Sequence, residues 1–69
     1  MRLRYYQDTD SLYIDLASGS SFESNEVSEG IVLDYDQTGN LVGIDINNAS
    51  HKLDLSEIVT TDLPYQVGA

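Results

Sequence analysis

Asp34, Asp36, Thr38, Gly39 and Asp45, in the stretch DYDQTGNLVGID, have a spacing that partly imitates a calcium loop. Such a loop sets oxygen side chains at its first, third and fifth positions, a glycine at the sixth for a sharp turn, and a long carboxylate at the twelfth. The imitation is incomplete. A short aspartate stands at the twelfth position, Val42 holds the ninth, and the flanks alternate as strands instead of forming helices. Asp34, Asp36 and Asp45 are therefore only the alternative, a divalent-cation set on a β-hairpin, and the main expectation is no metal.

Other catalytic chemistry has little to work with. His51 is the single histidine and there is no cysteine, which excludes a Cys/His pair and a multi-histidine metal centre. A Ser/His/Asp arrangement is formally available, but His51 beside Lys52, near the start of a predicted helix, reads as an exposed polar residue. No glycine-rich nucleotide loop is present. Two carboxylates could serve a glycosidase only if a cleft raised the pKa of one of them, and a flat sheet supplies no such cleft. Asp8 and Asp10 read as turn residues that bond their own backbone. We assign no catalytic residue and no cofactor, and the chain reads as a non-enzyme.

The elements that would carry these residues follow from alternation. A turn centred on Asp8 and Thr9 pairs Tyr5 with Leu12, Leu3 with Ile14 and Met1 with Leu16 on one apolar face. The opposite face pairs Arg4 with Tyr13 and Arg2 with Asp15. A second turn at Thr38-Gly39 pairs Tyr35 with Val42, Leu33 with Ile44 and Ile31 with Ile46, sending Asp34, Asp36 and Asp45 to the polar face. Between the hairpins, ASGSS is a connector and Phe22 to Val27 a linking strand whose phase is ambiguous. Ser28-Glu29-Gly30 fits a three-residue loop with Val27 opposite Ile31. After Asn47 the period becomes helical through Ala49, Leu53, Leu55, Ile58 and Val59, predicting one or two turns capped by Ser50 or Asp54. The predicted fold is mainly β, bordering on α+β: an antiparallel five-strand meander of two hairpins plus a linking strand, with a short C-terminal helix. Residues 1–59 form one small domain and residues 60–69 an extended tail.

Charge narrows the partners. The 69-residue chain has a net charge of -9, and its only Lys and Arg residues are Arg2, Arg4 and Lys52. Phosphate backbones are bound mainly by Lys and Arg, so nucleic acid is not an expected partner, and an anionic membrane surface is disfavoured for the same reason. A basic protein is a candidate partner. No apolar run is long enough to span a bilayer, and MRLRYYQDTD has no signal-peptide core, so a cytoplasmic protein is expected.

Size adds a further expectation. Five strands present a face of about 24 by 20 Å, and a helix of two or three turns, about 10 Å wide, covers less than half of it. The self-association face would comprise Leu3, Tyr5, Leu12, Ile14, Ile31, Leu33, Tyr35, Val42, Ile44 and Ile46. A homo-oligomer, with a dimer favoured, or a protein partner is the expected way to cover it, and a sheet that curls on itself is the competing explanation.

Tyr6, Asp8, Asp10, Leu12, Tyr13, Ile14 and Leu16, then Glu26, Val27, Gly30, Ile31, Leu33 to Asp36, Gly39, Leu41 to Ile44, and finally Ala49 and Ser50 form an ordered set. From Leu3 to Leu53 the chain resembles the family called domain of unknown function 2283. Asp45 departs from it, standing where the family more often has glutamate. The resemblance implies a small, mostly bacterial, cytoplasmic β-rich protein with no assigned activity. Members are often encoded near other small proteins, some of them candidate toxins, which points to an antitoxin-like role.

Overall fold

The computed structural model describes residues 1–65, and in it the alternating segments become strands. These are β1 (Arg2–Tyr6), β2 (Ser11–Asp15), β3 (Glu23–Ser28), β4 (Ile31–Tyr35) and β5 (Leu41–Asn47), followed by one helical turn, α1 (Ala49–Lys52). The five strands form one antiparallel sheet. This is the mainly β class with a short C-terminal helix that alternation predicts. Among the described residues no helix is long and apolar enough to cross a membrane.

The strand order is β1-β2-β5-β4-β3, and here the structure corrects the simple meander, which would set β3 beside β2. β5 takes that place, giving β2 to β5 a Greek-key connection in reverse chain order. Side-chain chemistry explains the choice. β5 offers Ile46 to Leu12 and Ile44 to Ile14, whereas β3 turns Glu23 and Asn25 to the apolar face, opposite Tyr35 and Leu33. A strand with polar residues on both faces belongs at an edge, where water reaches it. This register also settles the phase of β3. The connector has ample reach, because residues 16–22 can extend about 23 Å and the three strand spacings to be crossed sum to about 14 Å.

The first hairpin has the predicted register, including Tyr5 opposite Leu12 and Leu3 opposite Ile14. Arg4 lies over the Tyr13 ring, 5.6 Å from its centroid. The ion pair differs from expectation: Arg2 is the register partner of Asp15, but Arg4 makes the bridge at 2.9 Å. In the second hairpin Leu33 faces Ile44 and Ile31 faces Ile46 as predicted, while Tyr35 faces Leu41 and not Val42. A bulge absorbs the extra residue. Asp36 N–H donates to the Asn40 carbonyl at 2.8 Å and Gly39 N–H to the Asp36 carbonyl at 3.1 Å, tightening the turn by one position. Gly39 makes this possible at φ +87°, a conformation L side chains rarely adopt. Ser28, and not Val27, pairs with Ile31, because a second bulge lies at Val27 and leaves Glu29-Gly30 as the turn.

The core sits where β2, β5 and α1 meet. Leu12, Ile46 and Ala49 are buried together, with Ile14, Ile44 and Leu55 packed against them. Val42 is also buried, so it belongs to the interior and not to an exposed face. Neither Ser50 nor Asp54 caps α1. The N-cap is Asn48 in the left-handed conformation with no side-chain bond, and the chain turns extended at Leu53. Leu53–Val59 then continues without regular structure, as do residues 60–65, while residues 66–69 of the expected tail lie outside the described residues.

Candidate functional site

The three aspartates of the imitated calcium loop are not brought together. Asp36 turns into its own loop, where its carboxylate accepts hydrogen bonds from Thr38 N at 3.0 Å, Thr38 Oγ1 at 2.9 Å and Asn40 N at 2.9 Å. Bonds from Asn40 and Thr38 hold it below the usual carboxylate range. Asp34 instead lies on the polar face and accepts from Tyr13 Oη at 2.7 Å and Ser24 Oγ at 2.6 Å. Asp45 stands opposite Tyr13 and Val32 in the sheet. Among the described residues no three His, Asp or Glu side chains are grouped to hold a metal ion. The Asp34 and Asp36 carboxylates terminate hydrogen bonds that shape the hairpin.

Asp10 has a role that spacing along the chain does not reveal. It stands at φ 51° between β1 and β2, and it reaches α1 instead of its own backbone. Its carbonyl accepts Ala49 N–H at 2.9 Å, and its carboxylate accepts Ser50 N–H at 3.1 Å and Ser50 Oγ at 2.7 Å. It therefore caps the helical turn from another loop, satisfying amides that have no partner within the turn. Tyr5 Oη also donates to it at 2.8 Å. The Ser50 and Tyr5 hydrogen bonds lower the Asp10 pKa, and the same contact raises that of Tyr5.

On the polar face Tyr13 lies across Gly43, which leaves room for its ring. The hydrogen bond to Asp34 and partial burial push the Tyr13 hydroxyl up to about 12. Tyr5 and Tyr13 are both raised on folding, so their stabilisation is fully present below the ordinary value of 10.0 and is lost as pH climbs through the folded values. Unfolding free energy measured in urea should hold level with respect to these groups up to pH 10 and decline toward pH 12. Tyr13→Phe should flatten part of that decline; an unchanged slope would remove Tyr13 as its source.

On the apolar face only Leu12, Val42 and Ile46 of the ten expected residues are buried. Ile14, Ile31, Leu33, Tyr35 and Ile44 are half-buried, while Leu3 and Tyr5 on β1 remain 43% and 46% exposed. Leu53–Val59 runs beside the β1–β2 end of this face and lines, with Leu3, Tyr5 and Leu12, a cleft that it does not seal. Helical periodicity did not predict this placement.

A family model described as a protein of unknown function (DUF2283) matches residues 2–50. The chain belongs to the DUF2283 family. No curated protein and no solved structure matches it. The DUF2283 span runs from β1 through the first half of α1, so it contains all five strands, Asp10 and both of its partners on the helical turn. It also contains Gly43, Tyr13 and Asp34. The segment 53–59, which shares the apolar face, lies outside the DUF2283 match.

Proposed function

We propose that this DUF2283 protein is a non-enzymatic interaction module, acting in the cytoplasm, that self-associates through the apolar face of its sheet as a dimer and binds a basic protein in an antitoxin-like role. The observation that carries the reading is the incompletely covered face. Seven of its ten apolar residues keep solvent contact, led by Leu3 and Tyr5. An apolar surface of this kind is stabilised by burial against a second surface at about 25 cal/mol per Å². The basic partner is supported by the net charge of -9 and by the absence of Lys and Arg from the chain between Tyr5 and His51.

The carboxylates that could suggest catalysis are engaged elsewhere: Asp10 with α1, Asp34 with Tyr13 and Ser24, Asp36 with its own turn. Neither nucleic acid nor a membrane surface fits this charge. Sedimentation tests the self-association directly. The wild-type chain at micromolar concentration is expected to sediment as a dimer, and Leu3→Lys, at an already exposed position, as a folded monomer. A wild type that stays monomeric at every concentration ends the self-association reading.

A further inference from the structure

Between the segment Leu53–Val59 and the β1–β2 end of the sheet lies a cleft of about 840 Å³. Leu3, Tyr5 and Leu12 wall it on the sheet side, and Leu55, Ile58 and Val59 on the other. Its size falls within the roughly 300–1,000 Å³ of clefts that receive ligands. Ile58 and Val59 remain 70% and 71% exposed, so the segment offers apolar surface that its own sheet does not take up.

The charged groups along this cleft have one sign. Asp54 and Glu57 line it, and Asp10 stands behind Tyr5, bonded to its hydroxyl. Asp54 accepts hydrogen bonds from Ser56 Oγ at 2.5 Å and Ser56 N at 3.1 Å, which keep it ionised. The cations are all placed elsewhere. Arg4 is on the opposite face with Asp15 and Tyr13, Lys52 donates to the Asn47 carbonyl, and Arg2 faces Asp15 across the hairpin. An apolar cleft edged by carboxylates alone complements a ligand that is apolar and cationic at once.

We propose that this cleft receives a basic amphipathic segment of a partner protein, seating its apolar side chains between sheet and C-terminal segment and its Lys or Arg side chains on Asp54 and Glu57. The inference rests on the interaction-module reading and gives its basic partner a location. Seven of the ten residues that line the cleft lie beyond residue 50, so family membership does not imply the site. Leu3 and Tyr5 belong to both surfaces, and a seated segment therefore displaces a second copy from β1.

Fluorescence anisotropy of a labelled peptide alternating leucine and lysine, at physiological ionic strength and with the full chain, tests the site. Saturable micromolar binding is expected. Ile58→Ser combined with Val59→Ser changes only exposed positions and should weaken it by about tenfold or more, as expected for losing buried apolar area. Glu57→Gln should weaken it by about threefold, and Glu23→Gln with Glu29→Gln, remote from the cleft, should leave it unchanged. A peptide with serine in place of leucine should not bind. Equal binding of the serine peptide, or an Ile58/Val59 variant that binds like wild type, overturns the proposal, because general charge attraction would then account for the signal. Sedimentation separates the two readings. A monomeric wild type that binds at the cleft removes self-association alone, and a wild type that ignores the peptide even when diluted below the concentration at which it dimerises removes the cleft site alone.

Discussion

Ile46→Ala is expected to lower the unfolding free energy by about 2–4 kcal/mol, the range for truncating a buried isoleucine and leaving a cavity. Ile46 is only 8% exposed and lies opposite both Leu12 on β2 and Ile31 on β4, beneath Ala49 of α1. It thus joins the two hairpins to each other and to the helical turn. A domain of this length has a total stability of roughly 3–10 kcal/mol, so one truncation removes a large share of it. The small core makes compensation difficult, since Ala49 is the only described apolar residue with no exposure at all. Urea unfolding followed by far-UV circular dichroism reads the loss, and Val59→Ala at an exposed position serves as a control expected to fall within about 0.5 kcal/mol of wild type. A loss below about 1 kcal/mol for Ile46→Ala would show that the sheet closes over the vacancy and that the two hairpins are not held together at this point.

Gly43→Val should cost about 1–3 kcal/mol, the range for forcing a side chain into occupied space. Gly43 has no unusual backbone conformation; its constraint comes from across the sheet. A Cβ at position 43 would meet the Tyr13 hydroxyl directly and lie 2.6 Å from ring carbon Cζ. The ring must leave, and with it go the 2.7 Å hydrogen bond to Asp34 and the contact beneath Arg4. An aromatic ring laid over a strand glycine is a known means of covering the backbone that glycine exposes. A double-mutant cycle distinguishes this from a general strand effect. Once Tyr13→Ala has removed the ring, Gly43→Val should be neutral or stabilising, because valine is the better strand residue. Equal cost in both backgrounds would mean that the ring is not what position 43 accommodates.

These two expectations also separate what was legible in the residues from what was not. The pairing of Leu33 with Ile44 and of Leu3 with Ile14 could be read because strand periodicity is two and the turns are short, so that a slip of one residue would bury an aspartate. The exact partner of Tyr35 was not legible. A bulge costs little, and whether Asp36 closes the turn onto Asn40 depends on local hydrogen bonding that alternation does not register. The acidic cluster was legible as polar-face aspartates, while its separate commitments, Asp34 to Tyr13 and Asp36 to Thr38 and Asn40, required the fold. Glycine at position 43 within an alternating strand is compatible with turns and strand packing in general. Nothing local named Tyr13 as the group that approaches.

By itself the sequence determined the class of the fold, the two hairpins, the inward face of four strands and the acidic character of the chain. Those properties depend on residue type and on spacing within about ten positions, which backbone geometry translates directly into structure. The tertiary structure alone decided that β5 and not β3 pairs with β2, that Asp10 caps α1 across 40 residues of chain, and that Leu53–Val59 lies beside the sheet with an apolar cleft between them. The physical reason is the same in each case. Contacts between distant segments depend on which packing buries the most apolar surface while leaving the polar residues of β3 at an edge, and that comparison exists only once the whole chain has folded.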